Sequence, residues 1–235
     1  MKRKAIITSV SGESLTLNEK KILKKYKPWG LILFKRNISS FDQTKKLINS
    51  IKLSVGDNKL PILIDEEGGS VCRLSKILDN KVYSQKFFGD LFGKDKKLCL
   101  SFYENYISSM SSVFHSLGIN INTVPVLDII KDNTHNIIGT RSFSRNKETI
   151  KKLGKICLET YKKNKIGTVI KHIPGHGSAS ADSHKKLPVV RNKYKDLKSN
   201  DFNCFAKTKS FFAMTAHILY SNIDPSTVST HSRII

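Results

Sequence analysis

Short apolar, β-branched runs alternate along the chain with longer stretches whose apolar residues recur every three or four positions. Six runs read as strands: Ala5–Val10, Gly30–Lys35, Pro61–Glu66, Ile119–Leu127, Gly167–His172 and Phe211–Ile218. Most are continuously apolar rather than alternating, which is the pattern of parallel strands covered on both faces. Helical patterns fill the gaps. Thr16-Leu17-Asn18-Glu19 has the spacing of a capping box, in which hydroxyl and carboxylate each satisfy a free N–H, and Ser40-Phe41-Asp42-Gln43 repeats it. Phe102, Tyr106, Met110, Val113 and Leu117 form one stripe on a helix over about 98–117, and Ile150, Leu153, Cys157 and Tyr161 form another.

A repeated strand-then-helix order predicts an α/β fold, either a (β/α)8 barrel or an open doubly wound sheet. The first strand-to-helix turn, Ser11-Gly12-Glu13-Ser14, lacks G-x-G-x-x-G, and no P-loop occurs, so the open nucleotide-binding sheet loses its usual support. The barrel is the stronger expectation, here with about six of the eight βα units. No low-complexity linker or internal repeat divides residues 1–235, which are expected to form a single catalytic-type domain. In a barrel of this kind chemistry gathers at the C-terminal ends of the strands, and the polar clusters of this sequence fall there.

Charge and cysteine content narrow the function classes. Lys and Arg number 41 against 19 Asp and Glu, a net charge of +22. Such a balance suits a polyanion-binding protein, but the lysines are dispersed in pairs such as Lys20-Lys21 and Lys162-Lys163, with no run of five like charges and no known basic-aromatic nucleic-acid motif. No nucleic-acid partner is expected. No segment approaches the roughly 20 apolar residues of a membrane span. Cys72, Cys99, Cys157 and Cys204 are widely spaced without a C-x-x-C pair, so reduced thiols in a cytoplasm are expected.

Three clusters carry candidate chemistry. Ile64-Asp65-Glu66-Glu67-Gly68-Gly69-Ser70-Val71-Cys72-Arg73-Leu74 follows a strand. Its three consecutive acids would repel one another unless a ligand, cation or donor sat between them; an acidic turn paired with Arg73 is the plainer alternative. Lys171-His172-Ile173-Pro174-Gly175-His176-Gly177 is followed by Asp182-Ser183-His184, where a carboxylate could fix an imidazole's tautomer for proton transfer. Zinc ligation by His172, His176, Asp182 and His184 is the competing use, but Pro174-Gly175 excludes the helix that an H-x-x-x-H zinc motif needs. In Ile138-Gly139-Thr140-Arg141-Ser142-Phe143, Arg141 could clamp an anionic or hydroxyl-rich ligand, or be an ordinary surface arginine.

Taken together, I-D-E-E-G-G-x-V-x-R-L at 64–74, I-G-T-R-S-F at 138–143, K-H-I-P-G-H-G at 171–177 and D-S-H at 182–184 resemble the family 3 glycoside hydrolases, and more narrowly their bacterial β-N-acetylhexosaminidases. Gly30–Asn37 and Met214–Ile218 also fit that pattern. The resemblance implies a retaining exo-β-N-acetylglucosaminidase that removes terminal N-acetylglucosamine from peptidoglycan-derived muropeptides, or from chito-oligosaccharides, during cell-wall recycling. It implies Asp65, Arg73, Arg141, Lys171 and His172 as sugar-binding residues, His184 as general acid/base with Asp182 orienting it, and neither metal nor organic cofactor. Retaining glycosidases generally use two carboxyl groups, so a His–Asp pair in the acid/base role is a departure from the commoner scheme.

The sequence itself departs from the family pattern at one point. The family's nucleophilic aspartate lies in a D-D-L-x-M-type segment after a seventh strand, and no such segment occurs here. Asp224, in Ile223-Asp224-Pro225, matches a loop position instead. The expectation is therefore twofold: a glycosidase whose nucleophile is not in this chain, or a sugar-binding remnant without turnover. Six strands would also leave two open sheet edges, predicting a chain that aggregates or needs a second polypeptide.

Overall fold

The structure, a computed structural model, describes residues 3–132, 138–181 and 186–235. Six parallel strands form one sheet in the order β1 (Lys4–Thr8), β2 (Pro28–Leu33), β3 (Ile62–Ile64), β4 (Ile121–Asn122), β5 (Gly167–Ile173) and β7 (Phe212–Thr215). Between the strands run α1 (Leu17–Tyr26), α2 (Phe41–Val55), α3 (Gln85–Lys94), α4 (Lys96–Leu117), α5 (Lys147–Lys163) and the short α6 (Tyr194–Ser199). A separate pair joins β6 (Val189–Val190) to β8 (Leu219–Tyr220).

Period-two alternation sends the strand side chains to two different cores. Leu31, Leu33, Ile62, Ile64 and Ile170 face the helices and merge with Leu47, Ile51, Met110, Phe114 and Ile150 in the main core. Their neighbours Ile32, Leu63, Ile121 and Val169 form a smaller cluster with Trp29 and Met214 on the other face. That inner face is strongly curved. Trp29 on β2 and Phe212 on β7 touch edge to face, 5.4 Å between ring centroids, although β3, β4 and β5 lie between their strands. A flat sheet would hold them far apart, since neighbouring strands are spaced by about 4.8 Å. The sheet is a curled half-barrel, the expected incomplete form of the eight-stranded barrel.

Local signals explain the helix ends. Thr16 Oγ1 accepts from Glu19 N at 3.1 Å while Thr16 N donates to Glu19 Oε2 at 2.8 Å, a complete capping box. At α2 only half the expected box forms: Ser40 Oγ accepts from Gln43 N, but the Gln43 amide oxygen takes its bond from Ser39 N. Several predicted strands come out shorter than expected, and of the third, expected over Pro61–Glu66, only Ile62–Ile64 is regular. The fourth was expected over Ile119–Leu127 but is regular only at Ile121–Asn122, because Pro125 has no N–H to give the ladder; pairing resumes at Val126 opposite Lys171. The sixth, expected over Phe211–Ile218, ends at Thr215, and Leu219–Tyr220 joins the β6 pair instead. Helix α3 lies outside the periodic stretches described above, and its start is marked by Ser84 Oγ accepting from Phe87 N at 3.1 Å.

Candidate active site

The candidate residues on β3, β4 and β5 converge where those strands end. Asp65 follows directly on β3, and Lys171 and His172 are on β5, where the register with β7 shifts between Lys171 and Ile173. Arg73 comes from the loop after β3, and Arg141 from a single 3-10 turn at Gly139–Arg141. Gly68 and Gly69 both have positive φ, and a Cβ on Gly68 would lie 2.2 Å from Tyr83 O. Only glycine lets the acidic segment turn so closely against that loop.

At the centre is Lys171, 1% exposed. Its ammonium bonds Asp65 Oδ1, lies 2.5 Å from Glu67 Oε1 and donates to Thr123 Oγ1 at 3.1 Å. Arg141 grips Glu67 with two parallel bonds, Nε to Oε2 at 2.7 Å and Nη2 to Oε1 at 2.8 Å. Arg73 Nη2 donates to Asp65 Oδ2 at 3.2 Å, and Thr123 Oγ1 donates to Asp65 Oδ1. The acids that the sequence alone sets side by side are therefore kept apart by cations of the chain itself, and Glu66 turns away from the other two.

Electrostatics follow from this pairing. Burial pushes the Asp65 and Glu67 carboxyls up, but the adjacent Lys171 charge and the hydrogen bonds outweigh it, and both end below the usual carboxylate range. Arg141 is raised by its bonds and charge contact with Glu67, which exceed the cost of its burial. Asp65 and Glu67 are thus ionised acceptors at neutral pH.

His172 is held from behind. Its Nδ1 is 2.6 Å from Asp128 Oδ2, so Nδ1–H donates to the carboxylate and Nε2 is left to face Arg141 Nη2 at 3.4 Å. Asp128 Oδ1 accepts from the backbone N–H of His176 at 2.7 Å. One fully buried carboxylate therefore fixes the His172 ring and the start of the Gly175–Gly177 loop together. A Cβ on Gly177 would sit 2.0 Å from Ile129 O, so that loop runs tight against the chain after β4. Asp128 stays low because the His172 and His176 interactions overcome its burial. Burial depresses His176, whose Nδ1 has no hydrogen-bond partner.

Asp65, Arg73, Arg141, Lys171 and His172 are brought into one network. Asp182 and His184 lie outside the described residues. Among the described residues no group of three or more His, Cys, Asp or Glu is arranged to hold a metal. Three members of the network were not singled out in the sequence: Glu67, Thr123 and Asp128. Asp128 ends the apolar run Val124-Pro125-Val126-Leu127, and a carboxylate at the C-terminal side of a barrel strand is a usable signal. Glu67 was visible as an acid, but nothing in one sequence told which of the three would meet Lys171.

Comparison with known proteins identifies the family. The profile of the glycosyl hydrolase family 3 N terminal domain matches residues 6–235. A beta-hexosaminidase of Idiomarina loihiensis is 30% identical over 222 residues, covering 94% of this chain and 66% of that protein. Beta-hexosaminidase A of Pseudoalteromonas piscicida is 30% identical over 88% of this chain but only 36% of its own length. Native NagZ from Neisseria gonorrhoeae superimposes with a TM-score of 0.84 at 28% identity, over 94% of this chain and 65% of that one. The same protein has been solved in complex with N-trifluoroacetyl-D-glucosamine, with a TM-score of 0.85. The chain thus spans two thirds or less of the length of these relatives.

Proposed function

Because the chain belongs to glycosyl hydrolase family 3, we propose that its site binds a terminal β-linked N-acetylglucosamine and serves an exo-β-N-acetylglucosaminidase of the retaining type. The observation that carries this is the single network joining Asp65, Lys171, Arg73, Arg141 and His172 at the ends of β3–β5. An ionised Asp65 accepts from sugar hydroxyls and Arg73 and Arg141 present donors, while Lys171, its three N–H groups taken by Asp65, Glu67 and Thr123, holds Asp65 in place from beneath. The Neisseria gonorrhoeae relative solved with an N-acylated glucosamine supports the ligand class.

In this reading a nucleophilic carboxylate bonds the anomeric carbon as the bond to the aglycone oxygen breaks and His184, oriented by Asp182, protonates that oxygen; water then displaces the carboxylate, giving its proton to His184 and freeing the sugar. The role of nucleophile is assigned to no residue of the chain. The natural substrate is a muropeptide derived from peptidoglycan, or a chito-oligosaccharide, met in the cytoplasm; the four free, buried cysteines support a reducing compartment.

A chromogenic N-acetyl-β-glucosaminide tests the reading, with His184→Ala beside it and N-acetylglucosamine binding measured by calorimetry. Turnover that disappears in His184→Ala supports the hydrolase. Sugar binding without turnover identifies a sugar-binding module, which a network formed wholly by residues 65–176 also fits. Absence of both, with salt-dependent retention of nucleic acid, would instead favour polyanion binding through the +22 charge.

A further inference from the structure

Glu66 is the acid in the Asp65-Glu66-Glu67 triplet that the proposed reaction does not use. It is 3% exposed and points away from the sugar site, toward the layer between the sheet and α3, α4 and α5. Its Oε2 accepts two backbone bonds, from Arg73 N at 2.7 Å and Leu74 N at 2.8 Å. Its own backbone is clamped on both sides by Asn122, whose Oδ1 accepts from Glu66 N and whose Nδ2 donates to Glu66 O. The second carboxyl oxygen, Oε1, is buried without a hydrogen bond of good geometry, the Cys72 thiol and the Asn80 amide being its polar neighbours.

A bare buried carboxyl oxygen forfeits its hydration with nothing in return, so something polar belongs beside it. Glu66 lines a small cavity of about 10 Å³ together with Tyr83, Tyr103, Tyr106, Cys157 and Tyr161. A cavity open to a water's centre over roughly 10–15 Å³ holds one water, provided it has two or more polar partners. Oε1 is one, and four tyrosines are among the residues around the rest, with Glu67 and Gln85 as further polar groups and Phe88, Ile107 and Val124 as apolar ones. The electrostatic influence of Glu66 reaches the phenols of Tyr106 and Tyr161.

We propose that Glu66 and this cavity form a binding site for a single buried water, and that the pair fixes the Arg73–Leu74 backbone and so the Arg73 guanidinium beside Asp65. Glu66 is then a positioning residue for the sugar site, not part of its contact surface. A carboxyl that accepts through Oε2 and donates a proton from Oε1 to the water has the same hydrogen-bond pattern as a glutamine amide. Burial favours that protonated form. The inference takes its consequence for sugar binding from the function proposed above, but its structural part stands without it.

The test compares the full chain with Glu66→Gln and Glu66→Leu. A high-resolution structure of the unaltered chain is expected to show one ordered water beside Oε1; a dry cavity overturns the proposal. Amide exchange at Arg73 and Leu74 is expected to be unchanged in Glu66→Gln and at least about tenfold faster in Glu66→Leu. N-acetylglucosamine affinity should follow the same split, kept within about twofold by the glutamine and weakened about tenfold or more by the leucine. Equal exchange and equal affinity in the leucine variant overturn the positioning role. If Glu66→Leu does not fold, the water and the glutamine's exchange pattern still decide. If the unaltered chain binds no sugar, the proposed function falls, while water and amide exchange judge Glu66 alone.

Discussion

The Lys171 ammonium lies 2.5 Å from Glu67 Oε1 and at the same time bonds Asp65, so one buried cation neutralises two carboxylates contributed by the end of a different strand. Asp65 and Glu67 alternate around Glu66 and so project to the same side of the chain, as period-two geometry requires. Lys171 is the group that makes this tolerable. Removing one member of a buried ion pair leaves an uncompensated charge and costs about 3–5 kcal/mol.

Lys171→Met should therefore unfold at markedly lower urea concentration, by about 3–5 kcal/mol, and should lose sugar binding. Replacing both carboxylates in the same variant, Asp65→Asn with Glu67→Gln, should restore much of the stability but none of the binding. Urea titration of the three proteins checks this. A Lys171→Met variant as stable as the original would show that the pair is more hydrated than its 1% exposure indicates.

Asp128 predicts a separation of binding from stability. It holds both the His172 ring and the His176 backbone N–H. In Asp128→Asn the side-chain oxygen can still accept from His176 N, but its amide now meets His172 Nδ1 with a donor, which turns the ring's tautomer. Hydrogen bonds to charged groups are worth about 1.5–3 kcal/mol, so sugar affinity should fall about ten- to a hundredfold. Calorimetry and a thermal melt measure the two effects; an unchanged dissociation constant would remove His172 from the binding set.

How far the site was legible follows from what its residues respond to. Asp65, Lys171 and Arg141 sit at strand ends or in strand-end loops, and sequence periodicity locates strand ends well. The partnership of Glu67 with Lys171 depends on β3 and β5 being placed around a curved sheet, which no local pattern encodes. The same limit governs β4. Its apolar run is long enough for nine residues of strand, but Pro125 interrupts the ladder after Asn122 and the backbone turns to pair Val126 with Lys171. Helix starts are local events, and the Thr16 box was readable; the half-box at Ser40 failed because Ser39 N competes for Gln43.

The two edges of the sheet make a prediction about the chain in solution. Among the described residues β1 pairs only with β2 and β7 only with β5, and Ile6, Ile7 and Phe211 are exposed, Phe211 to 91%. Exposed apolar edge strands are templates for association. The 235-residue chain should show concentration-dependent growth in light scattering and bind a hydrophobic dye. Ile6→Lys with Phe211→Lys should suppress both while leaving the melting temperature within a few degrees, since surface changes usually stay within about ±0.5 kcal/mol. A monodisperse monomer with one cooperative transition would sink this expectation.

Stability should also depend on pH in two opposed directions, and Glu66 separates them. Asp65, Glu67 and Asp128 have pKa values in the fold below their ordinary 3.8, 4.5 and 3.8. The unfolded chain then binds more protons across that window, so their stabilisation is complete above about pH 5 and is lost as pH falls. Glu66 is the reverse. Burial lifts it above its ordinary 4.5, against a smaller pull from the Arg73 and Leu74 N–H groups, Cys72 and Asn80. Its contribution is present below about pH 4.5 and fades as pH rises through the folded value. The urea midpoint should drop steeply below about pH 4 because three acids outnumber one. Glu66→Gln removes only the opposing component, so the variant should match the original near pH 4 and exceed it as pH rises above about 4.5, until the folded value is passed. A glutamine variant that is less stable at pH 7, with no change in the difference between the two pH values, would mean that Glu66 is ionised in the fold and that its second oxygen is satisfied as an anion.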